Sequence, residues 1–322
     1  MSKNSIVKGV ESLINPISVG TLHFFQQYND MLPTSVQKKI VAKSATKNLY
    51  MGFVVEPYCT FLFQKIIDVE YFESIIPNNF KLNKCSPFAD EQEDYYMILS
   101  LFNARTSAFL GSRVEAYVIA KDKNTGLMSW IIIDYISNTI SYDDKDGLSS
   151  PAVASGYVTT DFEGNVHAQM DDINHQTELI VNLNGVVEKK LDYKLWVEGN
   201  LSISYGNKYS TSGNVFSLKF DTREMESALD VPLRNIKAYA NNWFYGKVEE
   251  VPDKIVVFKY AQHFISDSPG HYSKIDSSEK LANEVEKIDF EQVTPYSTKQ
   301  LTRNLMLVPL VLLIIIIILI VV

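Results

Sequence analysis

A chain of 322 residues, 46% of them hydrophobic and 12% aromatic, can bury a substantial core. Its formal net charge of -8, with no strongly basic stretch, excludes recognition of nucleic acid by bulk charge. Two cysteines, Cys59 and Cys85, fit a reducing compartment and cannot build a disulfide framework.

The first fifty residues read as helical. Ile6, Val10, Leu13, Ile14 and Ile17 recur at spacings of three and four and form one apolar stripe, which Asn15-Pro16 interrupts. Two more helical stretches follow, "TLHFFQQYNDML" ending at Pro33 and "TSVQKKIVAKSATKNL" starting at a capping Thr34 or Ser35. Lys8 and the Lys38, Lys39 and Lys43 group would suit a membrane surface, but packing onto the chain's own domain is the favoured expectation. This N-terminal extension spans residues 1–48.

From residue 49 to 266 the period shortens and the residues become β-branched and aromatic. Strand candidates are "YMGFVVEPYCTFLFQKII", "DYYMILSLFNA", "SRVEAYVIAKD", "GLMSWIIIDYI", "NTISYDD", "PAVASGYVTTDFEGNVHAQMDD", "TELIVNLNG", "KLWVEGNLSISYG", "GNVFSLKF" and "DKIVVFKYAQHFI". Gly, Asn and Asp turns separate them, the pattern of an antiparallel barrel or sandwich. Two hairpins are legible, at Asn124-Thr125-Gly126 and at Glu163-Gly164, where glycine supplies a positive φ. "DVEYFESIIP" and "DTREMESALD" read as short helices, each closed by a proline. Strict alternation along "GLMSWIIIDYI" puts Met128, Trp130, Ile132 and Asp134 on one side, and Leu127, Ser129, Ile131, Ile133 and Tyr135 on the other. Both sets are largely apolar, so this strand should be covered on both faces, with Arg105 or Arg113 as partner for Asp134.

Residues 267–304 form an acidic linker that includes "SSEKLANEVEKIDFEQ"; like "SPFADEQEDYY", it reads as solvated loop or helix face. The last segment, "LMLVPLVLLIIIIILIVV" from Leu305 to Val322, is apolar all round. As a helix it would span ~27 Å, close to the ~30 Å hydrocarbon core of a bilayer. Residues 1–20 hold no continuous apolar signal region, and Lys299 and Arg303 precede the span. The expectation is a single-pass C-terminal transmembrane anchor that meets membrane lipid, with the large domain cytoplasmic.

The segment "IIDVEYFESIIPNNFKL", followed by "YYMILSLFNA" and "SRVEAYVIAKDKNTGLMSWIIIDYISN", resembles the acetoacetate decarboxylase-like superfamily. Members commonly open with a strand, a short helix of the form (V)DPExLxxLLPxxL and a crossing strand. "NNWFYGKVEEVPDKIVVFKYA" is similar to the closing strands of its uncharacterised bacterial members. The resemblance covers residues 50–265. It implies a mainly β, α+β fold, with an antiparallel β-cone or double barrel around an apolar pocket.

Enzymes of that superfamily that decarboxylate use a Schiff-base lysine beside a second lysine. The corresponding stretch here is "NTISYDDKDGLSSPAV", where Lys145 stands among Asp143, Asp144 and Asp146. Carboxylates favour its ammonium form, which is the wrong direction for an attacking amine. "DDKDG" therefore reads as a charged turn, and Schiff-base decarboxylation is not expected. His263 and His271 flank "FISDSPG" as pocket or loop residues, with His263 the second catalytic candidate. His167, Asp171, Asp172 and His175 are types that bind divalent metals if a hairpin gathers them, but their spacing matches no metal motif. If His167 lies on a strand, it faces away from Val166 and Ala168, toward solvent. No Walker loop, dinucleotide fingerprint, G-x-S-x-G elbow or C-x-x-C pair occurs, so no cofactor or metal is expected.

Three functional classes follow. The first is a membrane-tethered β-domain binding an apolar or organic-acid small molecule. The second is an enzyme of the resembled superfamily acting on an organic acid or lactone. The third is a structural membrane protein, such as a viral envelope component.

Overall fold

The computed structural model describes residues 3–15, 17, 20–21, 33, 35–36, 51–106, 110–138, 154–266, 275–291 and 299–321. Most of the second and third N-terminal helical stretches, the "NTISYDD" strand candidate beyond residue 138, Lys145 and His271 lie outside these.

Helix α1 (Lys3–Leu13) carries the first apolar stripe. Ile6, Val10, Leu13 and Ile14 are buried, and Ile17, beyond the end of the helix, is 80% exposed. The helix lies on strands β1 (Met51–Val55) and β16 (Gln262–Ser266). Gly52 permits the close approach, since a Cβ there would sit 2.8 Å from the Val10 carbonyl.

After β1 come β2 (Cys59–Lys65), helix α2 (Val69–Ser74), β3 (Phe80–Leu82), β4 (Tyr96–Thr106), β5 (Leu110–Asp122) and β6 (Met128–Ser137). α2 starts where the sequence places it: the Asp68 side chain accepts from the Tyr71 N–H at 3.0 Å, and Phe72 is its buried anchor. Next are β7 (Ser155–Thr160), β8 (Asn165–Asp171), β9 (Gln176–Asn182), β10 (Val187–Lys190), β11 (Ile203–Tyr205) and β12 (Lys219–Phe220). β13 (Ser227–Asp230), β14 (Ile236–Asn241), β15 (Lys254–Phe258), β16, α3 (Ser278–Glu286) and α4 (Lys299–Val321) complete the order. Both expected hairpin turns form, with Gly126 at φ 75° and Gly164 at φ 81°.

The strands make two sheets. The larger has twelve strands in the order β10-β13-β15-β2-β4-β1-β16-β12, with β5 and β6 continuing from β4, β3 beside β5, and β11 beside β6. Every ladder in it is antiparallel except β11 on β6. The smaller sheet runs β14-β9-β8-β7.

The expected closed cone or barrel is corrected: the large sheet curls but does not close. Between the β11 and β12 edges the pairing shrinks to one mutual bridge, Ile203 with Phe216. The local reason is that "KLWVEGNLSISYG" is only partly strand. Asp192 accepts from the Leu195 N–H at 2.8 Å and starts a π-turn at Lys194–Glu198, followed by a 3-10 turn at Gly199–Leu201. Three residues are left for β11. "DTREMESALD" likewise gives a 3-10 turn, Thr222–Met225, and then strand β13.

β6 is buried at every position, as the sequence implies. One face joins the concave core with Trp130, Ile132 and Tyr135. The other, with Ile131, Ile133 and Ile136, meets Val166, Ala168 and Leu179 of the small sheet. Strict alternation fails at one place, because the β5–β6 register shifts between Ala116 and Tyr117, which pair with Asp134 and Ile132. This bulge reverses the parity beyond Ile133, so Tyr135 falls on the Trp130 side.

α4 is a 23-residue helix interrupted only by Pro309. Its side chains from Met306 to Val321 are mostly half-exposed or more. Among the described residues no helix is long and apolar enough to cross a membrane. The expected transmembrane helix therefore does not stand as part of the observed fold.

Candidate functional site

The concave side of the large sheet holds an open-mouthed cavity of about 160 Å³. β5 supplies its polar floor. In "SRVEAYV", Val114, Ala116 and Val118 are fully buried toward the small sheet, so the alternate residues Arg113, Glu115 and Tyr117 point into the cavity. Register sets Arg113 beside Phe102 and Glu115 beside Ser100 on β4, and Glu115 beside Tyr135 on β6.

The three polar groups form one row. Arg113 Nη1 donates to Glu115 Oε1 at 3.0 Å, and the Tyr117 hydroxyl donates to Glu115 Oε2. Arg113 is 4% and Glu115 6% exposed, so the pair stands almost free of water. The guanidinium also lies 5.4 Å from the centre of the Tyr135 ring. Burial, and then the adjacent Glu115 carboxylate, pushes the Tyr117 phenol far above its ordinary range. The Cys59 thiol, on the same wall, is raised chiefly by burial. Both stay protonated near neutral pH.

The rest of the wall is aromatic. Phe61 meets Trp196 edge-on at 4.9 Å, Tyr117 meets Trp130 edge-on at 5.1 Å, and the two indoles lie 5.5 Å apart. Both indole N–H groups are already used: Trp130 donates to the Leu195 carbonyl at 2.9 Å and Trp196 to the Pro87 carbonyl at 2.8 Å. The π-turn therefore does more than shorten β11, since it holds Trp196 and accepts from Trp130. Among the described residues, the polar side chains facing the cavity are the β5 row, Ser100, Thr106, Asn200, Tyr205 and Gln262.

His263 is not on this wall. It follows Gln262 and precedes Phe264, both of which line the cavity, so strand alternation turns it outward toward α1. Its Nδ1 lies 3.0 Å from Glu224 Oε1 and its Nε2 3.4 Å from Glu11 Oε1. Burial lowers the imidazole pKa, but Glu224 and Glu11 outweigh it and the net shift is upward. Glu11 also takes both Nη groups of Arg105, whose Nε donates to Glu56. The network clamps α1 to the sheet, with His263 on the side away from the cavity.

The four candidate metal ligands are not gathered into one group: only His175 and Asp172 meet. His167 faces outward on β8 and lies 2.8 Å from Asp161, with Val166 and Ala168 buried beneath, as alternation implies. The Asp171 carboxylate accepts from the Thr177 N–H at 3.2 Å. His175 sits in the β8–β9 turn, stacked on Trp243 at 4.2 Å, with Nδ1 3.0 Å from Asp172 and Nε2 3.4 Å from Asp134. Among the described residues no group of three such ligands could hold a metal.

Asp134 therefore has partners other than the expected arginines. Lys208 Nζ donates to Oδ1 at 2.6 Å and the Tyr209 hydroxyl at 2.8 Å, with His175 on the other oxygen. Burial raises the carboxyl, but these partners outweigh it and hold it at about 2. Arg105 is engaged by Glu11 and Glu56, and Arg113 by Glu115.

Two solved structures are similar to the chain. The chain is similar to an acetoacetate decarboxylase-like enzyme from Sphingomonas wittichii RW1, at 7% identity and TM-score 0.41, covering 70% of this chain and 93% of that one. It is also similar to the acetoacetate decarboxylase from Legionella pneumophila subsp. pneumophila str. Philadelphia 1, at 8% identity and TM-score 0.38, covering 67% and 86%. Both belong to the superfamily that the sequence segments resemble. No family model and no curated protein matches the chain. At such identities the chemistry must come from this chain's own residues. Among the described residues no lysine lines the cavity: Lys219, though buried on β12, is not on its wall.

Proposed function

We propose that this protein is a membrane-tethered binding domain for a small, largely apolar molecule, held in the cavity of the curled sheet. The observation that carries the reading is the combination of an aromatic wall with one buried, internally paired polar row, Arg113, Glu115 and Tyr117. Ligand sites are commonly of this kind, mostly apolar with a few placed polar groups that fix orientation. The tether would be residues 305–322. α4 exposes apolar side chains on all sides along 306–321, which suits lipid better than water. Lys299 and Arg303 would then stand at the cytoplasmic interface.

Native mass spectrometry of the full chain, released from bilayer discs, tests the binding reading. A co-purified small organic mass, lost when Trp196 is replaced by Ala, is the expected result; a ligand-free mass together with no response of tryptophan fluorescence to any small-molecule panel would reject it. Protease added to sealed vesicles on the cytoplasmic face tests the tether: the large domain should be digested, and its survival would overturn the orientation.

Glu115 favours a second reading. A carboxylate hydrogen-bonded to a phenol in a nearly dry cavity is equipped to exchange a proton with a bound organic acid or lactone. Turnover lost in Glu115→Gln, with ligand affinity retained, would favour catalysis over binding alone.

A further inference from the structure

Resting on the small-molecule reading of the cavity, we infer that its ligand is a neutral molecule of single-ring size carrying one hydrogen-bonding group, and that carboxylates are excluded. Size is the first argument. The cavity measures about 160 Å³, and an engineered apolar cavity of about 150 Å³ admits benzene. One ring fills such a space.

Charge is the second. Among the described residues, Arg113 and Glu115 are the charged side chains on the wall, and they are hydrogen-bonded to each other at 3.0 Å. A ligand carboxylate entering here would find the guanidinium already engaged by a carboxylate and would itself be placed beside Glu115. Two carboxylates against one guanidinium in a nearly dry site leave an excess buried negative charge. A hydroxyl or carbonyl avoids this, because it can meet Ser100, Asn200 or Gln262 and leave the row intact. Wall geometry is the third argument. Edge-to-face rings at 4.9 and 5.1 Å, with their indole N–H groups spent on backbone carbonyls, present ring faces and edges to a guest.

The test is calorimetric titration of the full chain in bilayer discs at pH 7 with phenol, benzoate and decanoate, with protein-free discs as the partition control. Phenol should bind saturably, benzoate at least about tenfold more weakly, and decanoate should neither bind saturably nor displace phenol. In Glu115→Gln the charge of the row changes by one unit, so the phenol-to-benzoate preference should narrow or reverse. Benzoate binding as tightly as phenol to the unmodified protein would overturn the inference while leaving the binding reading intact. Decanoate displacing phenol would overturn the exclusion of carboxylates. Binding of none of the three would count against the small-molecule reading itself. If Glu115→Gln fails to fold, the unmodified protein's ratio decides alone.

Discussion

Asp134→Asn should destabilise the protein measurably and with a specific pH signature. The carboxylate sits 13% exposed where the bulge of β6 turns it toward the small sheet, and it joins three segments: Lys208 and Tyr209 after β11, His175 of the β8–β9 turn, and β6 itself. A carboxyl held at about 2 instead of its ordinary 3.8 contributes by linkage about 2.5 kcal/mol at neutral pH, at 1.36 kcal/mol per pH unit. The amide still accepts from Lys208 and Tyr209, so a loss of about 2 kcal/mol is the working figure, or roughly 4–8 °C in melting temperature for a domain of this size. Because the folded value lies below the unfolded one, the carboxyl's contribution is complete above about pH 4 and fades as the pH falls toward 2. His175 behaves oppositely. Its folded pKa lies above 6.5, raised by Asp134 and Asp172 against the opposing effect of burial, so its contribution is complete below 6.5 and is lost as the pH rises through the folded value. Urea unfolding of both proteins, followed by tryptophan fluorescence, measures the gap; Trp243 against the His175 ring is a local reporter. The gap should be widest between about pH 4 and 6.5, narrowing on either side. Equal midpoints at pH 6, or a gap that widens on acidification, would refute the reasoning.

Gly156→Ala should break the β7–β8 ladder, because its φ of 140° is closed to alanine and a Cβ there would lie 1.9 Å from the Gln169 carbonyl oxygen. Amide exchange of β7 and β8 should accelerate by orders of magnitude, and unchanged protection would show a different backbone path. Glu11→Gln should lower the His263 pKa, since it removes one of the two carboxylates that raise it, and should expose α1 to protease. An unmoved imidazole titration would show that Glu11 does not act on His263. Cys59 and Cys85, both buried with thiols held protonated by burial, should react with a thiol reagent only as fast as the protein unfolds. Prompt labelling of the native protein would mean that the cavity wall opens.

Much of the fold was legible because hydrophobic periodicity reports burial directly. α1's stripe, the α2 start at Asp68, the two glycine hairpins and the doubly covered β6 all follow from local pattern. Where the reading failed, a longer-range contact decided. "KLWVEGN" has the residue types of a strand, yet Asp192 caps a turn there and Trp196 is drawn inward to the Pro87 carbonyl. A bulge in β6 cannot be read from β6 at all, because the mismatch belongs to its pairing with β5. β3, β10 and β14 were missed for another reason: they are short or strongly polar, and their pairing partners hold them.

The site was harder to see than the fold because its signal was ordinary. Alternating polar residues on a strand, as in Arg113, Glu115 and Tyr117, usually mark the face that meets water. Here Val114, Ala116 and Val118 are covered by the small sheet, so the polar face is the one that the curled sheet turns inward. The sequence does hold a clue in the composition of that face. Arg at i and Glu at i+2 on one side of a strand lie within reach of each other, and the next residue on that side, Tyr117, can donate to the same carboxylate. A row that pairs its charges internally can tolerate burial, whereas His167, paired with Asp161, and Asp171 stay partly exposed. In β5 such a self-paired row lies where the aromatic walls of the cavity converge.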